Sequence, residues 1–193
     1  MNALIGRDFS LVTLSAHGPI DLGAVVGWQT SRQVHVPFRA NTVAERNLLG
    51  ARIDAAVTQA DRAVVLVAEG AACFAAAWWA RLSPASYVSR VAGALLLAPM
   101  DEERERVDAL RERFASPRTA LPFPSIVIDA AVPRLDVAPQ VRALAHGWGS
   151  QVLDERAEAD TPLRWTRRAI ERFTAAVVES KVRAAESLVS LGR

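Results

Sequence analysis

The sequence predicts a single α/β domain, residues 1–193, in which helices cover both faces of a mainly parallel sheet. Short apolar, β-prone runs alternate along the chain with longer segments of helical periodicity. Residues 63–80, AVVLVAEGAACFAAAWWA, resemble a buried strand, a tight turn and a helix in direct succession. The composition, 51% hydrophobic and 23% charged, is that of an ordinary globular domain.

The first half of the chain gives three predicted strands, over residues 11–15, 34–38 and 64–68. Pro37 lacks a backbone N–H, so the second of these strands suits the edge of a sheet. Asn41-Thr42 can cap a helix in which apolar side chains recur at helical spacing: Val43, Leu48, Leu49, Ile53 and Val57. The third strand is followed by a predicted helix over residues 71–82.

The second half gives strands over residues 91–98, 125–129 and 151–153. Residues 101–114 are predicted to form a helix in which oppositely charged residues stand three and four apart. This spacing is typical of a solvated helix face, and a role as a lid over a pocket is the other interpretation. Residues 137–146 are helical, with Pro139 tolerated in the first turn. One long helix is predicted for about 162–191. It carries an apolar stripe of Ile170, Phe173, Val177, Leu188 and Leu191. Such a stripe packs either on the core of its own domain or against a second copy of the chain in a homodimer.

Charge and cysteine content exclude several classes of protein. The net charge is only +2, so no concentrated basic face for nucleic acid is expected. A single cysteine, Cys73, rules out an internal disulfide framework and suits a reducing compartment. Neither a signal peptide nor a membrane-spanning run is evident, and cytoplasmic location is the default. We expect no membrane partner, no cofactor and no metal.

Five stretches carry a resemblance to a known family. They are Trp28-Gln29-Thr30, VVLVAEGAACFAAAWWA, VAGALLLAP, LPFPSIVI and RALAHGWGSQVLD. In order and spacing they resemble the small single-domain serine hydrolases of the α/β-hydrolase superfamily, of the YdeN-like or retinoblastoma-binding-protein type. The resemblance covers most of residues 10–155 and implies a three-layer α/β-hydrolase fold.

The positions that carry catalysis in that family are substituted here. The family's His-Ser pair at the turn falls on Glu69 and Gly70, and its triad acid falls on Val132. Its triad histidine falls in the segment that contains Asp160, and no histidine follows His146. The serine mechanism needs a hydroxyl, an imidazole and a carboxylate together, so the resemblance implies a degenerate site.

Three residues remain as binding candidates. The resemblance implies an oxyanion hole made by the backbone N–H of Ala71 and by an N–H of the loop that contains His17. Such donors without a nucleophile would bind a small carbonyl or carboxylate ligand. Glu69 ends a buried strand, so it either faces a wet pocket or pairs with an arginine.

The preferred function is a catalytically degenerate pseudo-hydrolase with a binding, regulatory or scaffold role. One alternative is an active esterase or amidase whose site is unrecognised or completed by another chain. A second alternative is a carboxylate-based enzyme that uses Glu69 and Asp160. Cys73 is expected to be buried filler, and Trp78-Trp79 are expected to pack in the core.

Overall fold

The protein, seen in a computed structural model, is described for residues 9–21, 33–100, 104–129 and 138–154. These residues form six strands: β1 Phe9–Ser15, β2 Gln33–Pro37, β3 Ala63–Glu69, β4 Val91–Leu97, β5 Ser125–Asp129 and β6 Gln151–Asp154. They also form five helices: α1 Val43–Gln59, α2 Ala72–Leu82, α3 Ala85–Val88, α4 Arg104–Arg113 and α5 Ala138–Trp148. None of these helices has the length and apolarity that a membrane span requires.

The six strands form one parallel sheet in the order β2-β1-β3-β4-β5-β6. The predicted α/β fold is therefore confirmed, and the strands lie within two residues of their predicted bounds. The edge position predicted for the strand with Pro37 is also correct, because β2 ends the sheet. Helix α3 was not predicted, because its four residues are too short to show a helical period.

The larger hydrophobic core lies on the face of the sheet against which the described helices pack. From α1, Leu49 and Ile53 are buried against Val12 and Leu66 of the sheet, and from α2 Trp79 joins the same cluster. Burying an aliphatic side chain of this size stabilises the fold by about 1.5–3 kcal/mol. Leu49, Ile53 and Val57 thus have the packing role that the sequence predicted for this helix. The prediction was wrong for Val43 and Leu48, which are 64% and 50% exposed.

The other face of the sheet is buried as well. Its cluster includes Val65, Val67, Leu95 and Ile126, none more than 2% exposed. Strands buried on both faces give continuous apolar runs, which explains why residues 64–68 do not alternate with polar ones. The long helix predicted for about 162–191 lies outside the described residues.

Helix α1 begins at a capping box, at the position where the sequence predicted a cap. The Thr42 side chain accepts a hydrogen bond from the Glu45 N–H at 3.1 Å. In return, the Glu45 carboxylate accepts from the N–H groups of Asn41 at 2.7 Å and Thr42 at 3.1 Å. These bonds satisfy donors that have no partner inside the helix, and they fix the point at which the chain turns from β2 into α1.

Candidate functional site

The turn between β3 and α2 is built around Gly70. Its φ of +57° lies in the left-handed region that glycine adopts without steric cost. The Gly70 N–H donates to the Leu97 carbonyl at 2.9 Å, and the Gly70 carbonyl accepts from the Cys73 N–H at 3.1 Å. A Cβ added at Gly70 would meet nothing within 4 Å. The turn therefore has the space to present a side chain and presents none.

The backbone N–H of Ala71 is a donor that this turn leaves available. Ala71 precedes α2 in a helical conformation, with φ −58° and ψ −27°, and no side chain caps this end of the helix. Among the hydrogen bonds of the described residues, the Ala71 N–H has no acceptor. An unsatisfied N–H at a helix start is suited to an oxygen of a ligand, since the helix dipole favours negative charge there.

The loop after β1 borders the same turn. Strands β1 and β3 are parallel neighbours, with Leu14 opposite Ala68, so both end at the same edge of the sheet. From β1 the chain goes outward to β2 on one side and then to β3 on the other. Such a reversal of strand order marks the crevice in which open α/β sheets bind ligands. His17 lies exposed on this loop.

The Glu69 side chain ends β3 and is exposed. No arginine forms an ion pair with it within the described part of the chain. Exposure to solvent lowers the cost that a buried carboxylate would carry at this point of the strand. Whether Glu69 faces a wet pocket or pairs with an arginine stays a prediction.

Cys73 is the sulfur nearest to the turn, and it is fully buried. Its thiol donates to the carbonyls of Ala68 at 3.3 Å and Leu97 at 3.5 Å. Burial raises the pKa of this thiol far above the ordinary value, and the charge of Glu69 raises it further. A thiol that is buried and protonated does not act as a nucleophile, so Cys73 has the packing role expected of it.

The three histidines of the sequence all lie in described residues, and two of them are placed away from the turn. On the edge strand β2, His35 shares a hydrogen bond of 3.3 Å between its Nδ1 and the hydroxyl of the buried Thr13. His146 is exposed near the end of α5. The chain passes from α5 into β6, which begins at the end of the sheet opposite to Gly70. Only His17 belongs to a loop at the edge where Gly70 lies.

Val132 and Asp160 lie outside the described residues, so the pairing of Glu69 with Asp160 remains a prediction. Within the described ranges, no group of three or more His, Cys, Asp or Glu side chains is placed to hold a metal ion.

Ala98 is a feature of this edge that the sequence did not reveal. It follows β4 with a φ of 44°, the one described residue other than glycine with positive φ. Its N–H donates to the Ile128 carbonyl at 2.8 Å. Left-handed alanine is strained, and alanine carries no sequence signal for that conformation.

Trp78, Trp79 and helix α4 have packing roles. Trp79 is 2% exposed and donates from Nε1 to the Asp54 carboxylate at 2.7 Å. Trp78 meets Phe114 edge to face, with ring centroids 5.9 Å apart. In α4, Leu110 is buried in the same core, as is Phe114 just beyond the helix. These contacts anchor the end of α4 to the core, as a crossover helix requires.

Comparison with known proteins agrees with this geometry. A sequence profile of the serine hydrolase family matches residues 27–160. The crystal structure of a protein described as a YdeN-like hydrolase, from Pectobacterium atrosepticum, aligns with a TM-score of 0.60 and 14% sequence identity. The alignment covers 90% of this chain and 95% of that one, and at this identity it supports the fold alone. No curated protein sequence shows significant similarity to the chain.

Proposed function

The chain belongs to the serine hydrolase family, and we propose that it is a member that binds a small carbonyl or carboxylate ligand without hydrolysing it. Gly70 is the observation that carries this proposal. It stands at the tip of the strand-turn-helix where the family presents its serine, and it has no side chain. The left-handed backbone of the turn is kept, so the form of the elbow remains while its nucleophile is absent.

Among the described residues, no other group near the turn is free to supply the missing chemistry. The Ser15 hydroxyl ends β1 at this edge, but it is buried and donates to the Gly18 carbonyl. The Cys73 thiol is buried and hydrogen-bonded to two carbonyl oxygens, and it stays protonated because burial raises its pKa. His35 is on the edge strand with Thr13 as a partner, and His146 is near the far end of α5. His17 alone is at this edge, and an imidazole without a hydroxyl or thiol to activate does not make a nucleophilic site.

The ligand class follows from the donors and charges at the turn. The Ala71 N–H offers a hydrogen bond at the positive end of α2, which suits a carbonyl or carboxylate oxygen. The neighbouring Glu69 carboxylate is exposed and adds negative charge. A neutral ester or amide should therefore bind more tightly than a carboxylate of the same size.

Labelling and turnover test the loss of catalysis. We expect neither labelling by a fluorophosphonate probe nor hydrolysis of p-nitrophenyl esters above a boiled control. Gly70→Ser should also remain inactive, because the segment in which the family carries its triad histidine contains no histidine in this chain. Substantial activity in wild type or in Gly70→Ser would contradict the proposal. Activity that disappears in Glu69→Ala would instead favour the carboxylate-based alternative.

Binding at the turn is tested by removing the Ala71 donor. Ala71→Pro deletes the N–H and keeps a φ close to the observed −58°, whereas Ala71→Ser keeps the donor. Titration with N-butylbutanamide should shift the Gly70 and Ala72 amide resonances in wild type and in Ala71→Ser. The shifts should be absent in Ala71→Pro, whose folding is checked by circular dichroism. Equal shifts in both variants would contradict a role for the Ala71 donor.

Dimerisation through the C-terminal segment is a further part of the proposal. It is supported by the apolar stripe of residues 162–191, which includes Phe173. Light scattering should give the mass of a dimer for wild type and of a monomer for Phe173→Glu. A monomeric wild-type protein would contradict this part and leave the ligand proposal intact.

A further inference from the structure

A groove of about 830 Å³ opens at the edge of the sheet opposite to Gly70. It is lined by the residues that lead into β3, β4 and β5 and by the end of α2. Its volume is within the range of about 300–1,000 Å³ that is usual for small-molecule sites. Its distance along the strands from the turn makes it a separate site, so an inference about it does not depend on the proposed function.

The wall of the groove is largely hydrophobic. Ala80 at the end of α2, Val88 in α3, Val91 in β4 and Phe123 before β5 all line it, and each is itself buried. These side chains are held in the core, so the wall is formed before any ligand arrives. A preformed apolar wall favours a ligand with a hydrocarbon body.

Arg81 is fixed at the edge of this wall. Its Nε donates to the Thr119 carbonyl at 2.8 Å, and its two terminal nitrogens donate to the Ser116 hydroxyl at 3.2 Å and the Gly147 carbonyl at 2.7 Å. All three acceptors are uncharged. Burial lowers the pKa of Arg81, and no carboxylate of the described residues compensates its charge.

Arg90 is a second fixed guanidinium in the same groove. Its Nε donates to the Val57 carbonyl at 3.0 Å, and Nη2 donates to the Ala60 carbonyl. These bonds satisfy carbonyls at the end of α1, and they leave Nη1 without an acceptor in the described ranges. A guanidinium carries five N–H groups, so both arginines retain donors for a ligand.

The charges around the groove favour an anion. Arg81 and Arg90 carry the positive charge on which this argument depends, and Arg62 and Asp61 line the groove as one residue of each sign. The Asp61 carboxylate accepts a hydrogen bond from the Ser10 hydroxyl at 3.3 Å. Because two of the guanidinium groups are immobilised by backbone carbonyls, little side-chain entropy remains to be lost when an anion binds.

We propose that the groove binds an aliphatic carboxylate, with its charged end at Arg90 and its chain along Val88, Val91 and Phe123. Guanidinium groups bind carboxylates through paired N–H donors, and the apolar wall accepts the hydrocarbon. Neither half of such a ligand should be sufficient alone. A short carboxylate lacks the body, and a long alcohol lacks the charge.

Calorimetry with decanoate, decanol and acetate tests the proposal on the full chain. Decanoate should bind at least about tenfold more tightly than either of the other compounds, a difference of about 1.4 kcal/mol. Arg90→Met should weaken decanoate about ten- to a hundredfold, the range for a hydrogen bond to a charged group. Arg52→Met, an exposed arginine of α1 outside the groove, is the matched control and should leave the affinity unchanged.

A second variant keeps the test decisive if the loss of Arg90 disturbs folding. Ala85 is exposed and lines the groove, and Ala85→Phe narrows it without removing a hydrogen bond of either arginine. Decanoate binding should be lost in Ala85→Phe at an unchanged melting temperature. Equal decanoate affinity in wild type and Ala85→Phe, or equal binding of decanol and decanoate, would overturn the proposal. Loss of decanoate binding in Ala71→Pro alone would place the ligand at the turn and also overturn it.

Discussion

Three glycines near the ends of helices allow a graded test of the backbone geometry at the candidate site. Gly70 has a φ of +57° and open space around an added Cβ. Gly149 has a φ of +67°, and its added Cβ would lie only 2.7 Å from the Cβ of Ala120. Gly147 lies in α5 without a positive φ and also has open space. Alanine at each position therefore meets a different combination of strain and contact.

The expected free energies of unfolding follow from these combinations. Gly70→Ala should destabilise by about 1–2 kcal/mol, the cost of placing an L-residue in the left-handed region. Gly149→Ala adds an overpacked contact of about 1–3 kcal/mol, giving a total of about 2–5 kcal/mol. Gly147→Ala should be neutral or stabilising by up to about 1 kcal/mol, because alanine is the better helix former.

Thermal and urea unfolding followed by circular dichroism measure these differences. For a protein of this size, each kcal/mol corresponds to a change of about 2–4 °C in melting temperature. The expected order of stability is Gly147→Ala, then Gly70→Ala, then Gly149→Ala. A Gly70→Ala variant as stable as Gly147→Ala would refute the left-handed turn, and with it the claim that this turn keeps the form of a nucleophile elbow.

Three other perturbations test the packing and the helix ends. Asp54→Ala leaves the buried Trp79 Nε1–H without its acceptor, so it should lower the free energy of unfolding in urea by about 1–3 kcal/mol. Asp54→Asn should lower it less, and equal losses in the two variants would argue against this hydrogen bond. Cys73 should react slowly with a thiol reagent in native protein and rapidly in urea, because burial raises its pKa. Since the unfolded thiol loses its proton first, the contribution of Cys73 to stability should fall as pH rises above the ordinary thiol pKa. Thr42→Ala removes the Glu45 N–H acceptor and should lower stability by about 1 kcal/mol, and no change would contradict the capping box.

The fold was predictable because its signals are local. The cap at Thr42, the edge strand with Pro37 and the buried run of residues 64–68 each depend on neighbouring residues alone. Helix α3 was missed because four residues show no period. The strained Ala98 was missed because alanine occurs readily in ordinary conformations, and its hydrogen bond to Ile128 of β5 is a tertiary contact.

The candidate site was predictable in part. The sequence shows directly that Gly70 has no nucleophilic side chain and that no histidine follows His146. Both observations concern groups that the serine mechanism needs. The exposure of Glu69 and the acceptor-free Ala71 N–H could not be read in this way, because they depend on which chain segments surround the turn.

The sequence by itself determined the α/β class, the family resemblance and the absence of a nucleophile at Gly70, since these depend on residue identity and on local periodicity. Only the tertiary structure decided the strand order, the hydrogen bonds of the Cys73 thiol and the groove lined by Arg81 and Arg90. The bonds of Arg81 join residues 35 to 66 positions apart, and those of Arg90 join residues 30 to 33 apart. Contacts at such separations arise when the crossovers bring distant segments to one edge of the sheet, and no local pattern specifies them.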